Sequence, residues 1–456
     1  MSIMNNALSG ALASQLALSA SSHNIANLQT KGYTRQSALL TAVGPDAGPR
    51  AAGNGVQVSQ LMRFSDGYKS QQLWRAASDV GSHSQTQPYL TQLERVMGDD
   101  AASLSAGVDK FFESLNAVAG VDPTSTPLRQ QVLTAAGIMA QRFNGLNNVF
   151  NAQLQSVRQQ RSAVVDAANV AIAGIARLNG QIAQAGATGK NQSALIDARD
   201  LAIDGLAAQM ALEVSDQPDG SRNISLKTGQ ALVIGGVAGT ITASGGANQS
   251  FSLEFANTTF GLDAVGIGGQ LGGLSSYEAD ILRPLQQGVS DMAEQLATKV
   301  NTQLAAGYTM NGAAGKPMFV FTPGGGADLL SIAAGFQTGD LAFSADNTPG
   351  DSTNLQRLVA LKGQPINVTG LGSVLIGDAD TQLVGKLAVD SQQNRAALST
   401  AETMRTHALE DWQSTSGVNQ DEEAVNLVEY QNMYQANMKV MSVANSLFDA
   451  TLAMMG

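Results

Sequence analysis

Apolar positions recur at helical spacing over most of the chain, and the longest stripes lie at its two ends. From Gly417 to Gly456, Leu427, Tyr430, Tyr434, Met441, Ala444 and Phe448 follow steps of three and four, Met438 and Leu452 widen the stripe, and Asn437 interrupts it. Asn419 stands where it caps the first turn, and Asp421, Glu422 and Glu423 sit at the positive end of the helix dipole. At the other end Met4, Leu8, Leu12 and Leu16 repeat every fourth residue, with Ile3, Ala7 and Ala11 beside them, which predicts a second helix with this stripe on one side. Chain termini tend to lie close together, so the two helices are expected to pack on each other. That pairing covers part of the C-terminal stripe and leaves Tyr434, Met441 and Phe448 as the leading candidates for an uncovered remainder.

The stretch Asn24-Ile25-Ala26-Asn27-Leu28-Gln29-Thr30-Lys31-Gly32-Tyr33-Thr34-Arg35-Gln36 changes the pattern. Asn27 and Thr30 end the first helix, and Gly32 permits a positive φ before Tyr33, so a tight turn leads into an extended segment with Val56 and Val58 on a short strand. Helical spacing resumes near Asp66 and closes at Gly98, and a second helix carries Leu104, Val108, Phe111, Phe112, Leu115 and Val118. Thr126 as cap and Pro127 at the first helical position open the longest periodic segment. In it Leu154, Val157, Arg161, Val164, Ala168, Ala171, Ile175, Leu178 and Ile182 form a heptad seam whose only polar member is Arg161. Unbroken to Ala185, this helix is roughly 80–90 Å long, more than one globule buries, so the molecule is expected to be elongated.

Residues 211–277 alternate short Val, Ile, Leu and Phe runs with Asp219-Gly220, Gly235-Gly236, Gly245-Gly246 and Gly272-Gly273, the punctuation of hairpins. A helix then carries Tyr277, Ile281, Leu285, Val289, Met292, Leu296, Val300 and Leu304 and is expected to mate with the long one. A short strand at Met318–Phe321, a short helix around Asn354 and Leu355, and a helix from Asp380 to Gln413 complete the chain. The fold class is therefore mainly α with an inserted β domain, an elongated multi-domain rod whose helical domains are discontinuous and formed by both termini. The expected units are 1–65 with 400–456 as a terminal assembly domain, 66–210 with 278–399 as a helical rod, and 211–277 as the β domain at the tip.

Composition narrows function mainly by exclusion. A net charge of −11 leaves no basic surplus to neutralise phosphates, which argues against a nucleic-acid partner. The chain has no cysteine, so disulfides and thiolate metal sites are excluded. His23, His83 and His407 lie far apart, none with a ligand at i+4, and no metal or cofactor is expected. Gly-x-Ser-x-Gly is absent, Gly266-Ile267-Gly268-Gly269 lacks the lysine and spacing of a nucleotide loop, and Asp99-Asp100 and Asp378 with Asp380 sit where capping explains them. Asp197 with Arg199 or Asp200 could look catalytic, but charged residues on adjacent helical positions face different directions, and these are expected to fix neighbouring helices, not to catalyse. No catalytic residue is assigned. Met1 to Thr30 lacks both charge and the unbroken apolar core of a signal peptide or membrane span, so neither cleavage nor membrane insertion is expected.

Asn24-Ile25-Ala26-Asn27, Thr30, Gly32-Tyr33 and Arg35-Gln36 together resemble the signature of the axial proteins of the bacterial flagellum, the family of rod, hook and hook-associated subunits. Ser416-Gly417-Val418-Asn419, Asp421-Glu422-Glu423-Ala424, Asn426-Leu427, Tyr430-Gln431, Tyr434-Gln435-Ala436 and Phe448 are similar to its hook–filament junction members. The likeness spans about the first 210 and last 180 residues. It implies both termini in a common helical core, export without a cleaved signal, and assembly into a ring of identical subunits between the hook protein and the next junction protein. It also implies a cytoplasmic export chaperone on the C-terminal helix. Implied interface residues are Met4, Leu8, Leu12, Leu16, Asn24, Asn27, Thr30, Gly32, Tyr33, Arg35, Leu427, Tyr430, Tyr434, Met438, Met441 and Phe448. A hook or rod subunit, and an enzyme that cleaves glycans through the β domain, are the alternatives.

Overall fold

The computed structural model describes residues 2–44, 53–244, 250–324, 328–348 and 350–455, so Pro45, Gly48, Pro49 and the Gly245-Gly246 pair lie outside the described residues. Helix α1 (Ser2–Ala26) leads through a turn into the antiparallel hairpin β1 (Gln36–Ala42) and β2 (Val56–Arg63), whose register slips by a bulge at Leu39/Leu40. Helix α2 (Gly67–Met97) starts at Asp66, whose carboxylate accepts from the backbone N–H groups of Tyr68 and Lys69, and stops at Gly98, where the sequence places both signals. Helices α3 (Leu104–Val121) and α4 (Thr126–Ala187) follow. The cap of α4 is Ser125, one residue before the expected Thr126, with Pro127 in the first turn. At 62 residues α4 spans about 93 Å. Its internal glycines do not interrupt it.

Helix α5 (Ser193–Gln209) precedes seven short strands. Strands β3 (Leu212–Asp216), β4 (Arg222–Leu226), β5 (Ala231–Ile234) and β6 (Val237–Ala238) form one antiparallel sheet in sequence order. Strands β7 (Thr240–Ala243), β8 (Phe251–Phe255) and β9 (Thr258–Leu262) form another. Helix α6 (Gly269–Ser276) runs through a π-helical turn, Tyr277–Leu282, into α7 (Arg283–Ala305). The hairpin β10 (Phe319–Phe321) and β11 (Leu330–Ile332), helix α8 (Thr353–Ala360) and the hairpin β12 (Pro365–Val368) and β13 (Gly372–Leu375) lead to α9 (Ala379–Ser416) and α10 (Gln420–Met455). The expected boundary at residue 400 falls inside α9, and the chain breaks its helix at Gly417.

Two large apolar cores lie along α4. One gathers Phe111 and Phe112 of α3, Met139, Phe143 and Phe150 of α4, Val289 and Leu296 of α7 and Leu355 of α8. Fully burying side chains of this size contributes about 1.5–3 kcal/mol each. The second joins Trp74 of α2, Ile172 and Ile175 of α4 and Ile203 of α5 to Val214, Ile224, Ile241 and Leu253 of the strands. The strands of 211–277 therefore share a core with α2, α4, α5 and α6 and flank the start of α2, where Gln71 donates to the Val214 carbonyl at 3.2 Å. They lie beside the end of the rod that carries the chain termini, not at its tip as the order of segments suggests. The tip position belongs to α3, the first half of α4, and α7 to β13.

Helices α2 and α9 run antiparallel along a largely polar seam, from Lys69 on the Asp411 carbonyl, through His83 to Asn394 at 2.8 Å, to Ser391 on Glu94 at 2.8 Å. Arg161 in the seam of α4 meets Glu278 in the π-helical turn, and Arg283 holds the other carboxylate oxygen of Glu278 at 2.5 Å. Above Ala168 the seam moves: Ala171 and Leu178 are half-exposed, and Ile172, Ala176 and Asn179 are buried in their place. Asn179 bonds the carbonyls of Arg222 and Gly235 at the strand ends, at 2.7 and 2.9 Å.

Candidate assembly interface

Helices α1 and α10 pack against each other antiparallel, since Ser21 and Asn24 reach Glu423 while Gly10 lies against Asn437. The contact face of α1 is built of small residues in strict three–four alternation: Ala7, Gly10, Ser14, Ala17, Ser21 and Asn24. The opposite face of α10 follows the same rhythm through Glu423, Leu427, Tyr430, Tyr434, Asn437, Met441 and Ala444. A Cβ added at Gly10 would stand 2.6 Å from the Asn437 side-chain oxygen, so the glycine and the polar break in the C-terminal stripe belong to one close approach.

Small residues at the seam turn the large ones outward. Met4, Leu8, Leu12 and Leu16 are exposed, with Ile3 and Leu12 at 57%. Leu12 and Leu16 line an open groove of about 560 Å³ between α1 and Val56 and Val58 of β2. On α10 the exposed apolar residues include Val425, Val428, Met433, Met438, Val440, Val443, Leu447, Phe448 (63%), Leu452 and Met454. Leu427, Tyr430, Tyr434 and Met441 are half-buried on the side towards α1. Of the three residues named as the uncovered remainder, Phe448 is exposed and Tyr434 and Met441 are not. The missed signal was the three–four run of Ala, Gly and Ser, hidden because the leucines outrank it in hydrophobicity.

The Asn24–Gln36 stretch closes inside the chain. Asn24, 1% exposed, uses its carboxamide fully: the amide donates to the Gln36 carbonyl at 2.8 Å and the Glu423 carboxylate at 3.0 Å, and its oxygen accepts from the Tyr33 hydroxyl at 2.7 Å and the Gln36 N–H at 3.0 Å. Glu423, also buried, accepts from Ser21. One side chain thus ties together the end of α1, the turn, the start of β1 and the first turn of α10. Asn27 folds back on the His23 carbonyl at 2.9 Å and accepts from Thr30 at 3.2 Å. Gly32 takes the positive φ that the turn requires, +80°, and packs on Leu201 of α5.

The Tyr33 ring meets His23 edge-on at 5.6 Å; burial, with the carboxylates of Asp197 and Glu423 nearby, pushes its phenol up to about 12. Arg35 lies over the Phe64 ring at 4.4 Å, pairs with Glu422 at 2.5 Å and donates its backbone N–H to the Ser416 carbonyl at 2.9 Å. Asn419 caps α10 by accepting from the Asp421 N–H at 2.9 Å. Asn24, Tyr33 and Arg35, expected at an interface between subunits, therefore serve first as ties within one chain.

Among the described residues there is no group of three or more metal-ligating side chains, and no helix is long and apolar enough to cross a membrane. Three acids of the β region serve local ends: Asp219 accepts from Ser221, Asp216 pairs with Arg222, and Asp263 accepts from the Val265 N–H.

The profile of the flagellar hook-associated protein FlgK helical domain matches residues 90–319, and that of the flagellar basal body rod FlgEFG protein C-terminal region matches 412–454. Flagellar hook-associated protein 1 of Escherichia coli K12 is 26% identical over 99% of both chains, and that of Bacillus subtilis 25% identical over 97% of this chain and 96% of its own. The solved flagellar hook junction protein FlgK from Burkholderia pseudomallei superposes with a TM-score of 0.67 at 16% identity, over 75% of this chain and all of that one, a likeness of fold. With the helical-domain profile spanning half its length, the chain belongs to the flagellar hook-associated protein FlgK family.

Proposed function

We propose that this protein works as a structural subunit of the flagellum at the hook–filament junction, assembling through its paired terminal helices. The observation that carries the reading is the pair of uncovered apolar faces, Ile3, Met4, Leu8, Leu12 and Leu16 on α1 and Val440, Val443, Leu447 and Phe448 on α10. Contiguous exposed apolar surface of this kind marks an interaction site. Its occupants in this proposal are neighbouring copies in a ring, with the hook protein on one side and the next junction protein on the other. Before assembly the same faces suit a cytoplasmic chaperone on α10 and export without a cleaved signal. The division into a terminal, a rod and a β unit is part of the proposal, with the C-terminal boundary and the hinge at Gly417 in place of residue 400. The relatives are named for a place in the flagellum and not for a reaction, and the structural role needs no catalytic group.

The test is L8D/L12D in a strain lacking the wild-type gene. Both side chains are exposed, so far-UV circular dichroism and the melting curve of the purified variant should match wild type while cells make hooks without filaments. Normal filaments and motility would refute the reading.

A further inference from the structure

No apolar core among the described residues crosses from the paired ends into the rod. Among the described residues the three hydrophobic clusters begin at Leu73 and end at Trp412, so α1, β1, β2 and α10 take no part in them. Hydrophobic contact is non-directional in any case; an angle across this boundary must be set by the chain or by polar groups. The chain crosses at Phe64–Gly67 and at Gly417–Asn419, and two crossings leave a hinge. Away from them, the turn and β2 rest on α5.

There Arg63, at the end of β2, donates to Asp197 at 2.8 Å and Asp200 at 3.0 Å, and all three are largely buried. The second Asp197 oxygen accepts the backbone N–H of Thr34 at 3.2 Å, and Thr34 is fully buried. Both oxygens of one rod carboxylate are thus held by the terminal unit, one by the turn and one by the hairpin. Asp200 passes the tie onward: its other oxygen takes Arg222 of β4 at 2.6 Å and Arg199 at 3.2 Å, and Arg222 binds Asp216 at 2.6 Å and lies over Trp74 of α2 at 5.4 Å. Burial raises the Asp197 carboxyl above its usual range and Arg63 opposes that rise. Tyr33 faces the cluster from the terminal side, and Asp204 of α5 is occupied by Arg405 of α9 at 2.7 Å.

We propose that Arg63, gripped by Asp197 and Asp200, is the positioning residue that sets the angle of the terminal helix pair to the rod, and that assembly requires this angle. The second half rests on the assembly role proposed above; the first is a property of the isolated protein. The helix pair is a lever. Lys439 lies about 27 Å along α10 from Asp421, so a swing of about 20° displaces it by about 9 Å. Packed helices are about 8–10 Å apart, so such a swing moves the apolar faces by one helix position and takes them out of register with a neighbour.

The absence of native cysteine permits spin labelling of the full-length pair V170C/K439C, both exposed sites. The wild-type background should give one narrow distance distribution. R63A and D197N should broaden or shift it by about 9 Å, with the melting curve of the rod unchanged, and R63K should recover most of the narrow component. D197N keeps the side-chain shape and serves if R63A does not fold. An unchanged distribution in D197N would overturn the latch. A changed distribution with wild-type filament attachment would overturn its role in assembly, whereas normal filaments in L8D/L12D would sink the assembly reading and leave these distances standing.

Discussion

Asn24→Ala removes the side chain that joins four segments at one end of the molecule. Of the groups it leaves, the Glu423 carboxylate keeps Ser21, and the Tyr33 hydroxyl loses the Asn24 oxygen as its acceptor. Gln36 is 7% exposed, and both its backbone N–H and its carbonyl lose the Asn24 carboxamide. A buried polar group left without a partner costs about 1–3 kcal/mol, so these two together cost about 2–6 kcal/mol. The loss should be local, because among the described residues no apolar core links the terminal unit to the rod. Hydrogen exchange reads it directly: in N24A the Gln36 amide should exchange faster by at least about thirtyfold, and amides in the α4 core should not change. Asp should not rescue, since it keeps the acceptor but puts a second carboxylate against Glu423. Wild-type exchange of Gln36 in N24A would refute the assignment of Asn24 as the tie.

Three further outcomes are expected. Leu at Gly10 should wedge α1 from α10 at a cost of about 1–3 kcal/mol, read as faster exchange of the Ser14 and Ala17 amides, with part of the loss recovered in G10L/N437A. Folding raises the Tyr33 phenol above its unfolded value, so its contribution is complete below about pH 10 and is lost as pH rises through about 12; urea titrations should show this decline in wild type and not in Y33F. Replacing Glu278 by Ala strands Arg161, 3% exposed, in the rod core and should lower rod stability by about 3–5 kcal/mol, while R161M/E278M should recover most of it in thermal unfolding.

Helix boundaries were legible because their causes are local. Asp66, Gly98 and Asn419 carry capping geometry in their own side chains or backbone, and Gly32 signals its positive φ by lacking a Cβ. The 62-residue α4 was legible because its apolar period survives for many turns. The outward face of α1 was not. A stripe of leucines at every fourth position drifts around the helix, whereas Ala7, Gly10, Ser14, Ala17, Ser21 and Asn24 keep one line against a straight partner, and only the presence of α10 makes small side chains the better contact. The same holds for Asn437, a break in a hydrophobic stripe when read alone and a neighbour of Gly10 in the fold.

By itself the sequence determined the elements, the helical and hairpin segments, and the family signature from Asn24 to Gln36. Tertiary structure decided which side of each terminal helix faces outward, where the β region sits along the rod, and what Asn24, Arg63, Asp197 and Glu423 hold. The division has a physical cause. Periodicity and capping act over one or two turns of chain, while Ser21 and Glu423, or Arg63 and Asp197, are separated by hundreds or more than a hundred residues and become neighbours only when both ends of the chain return to the same place.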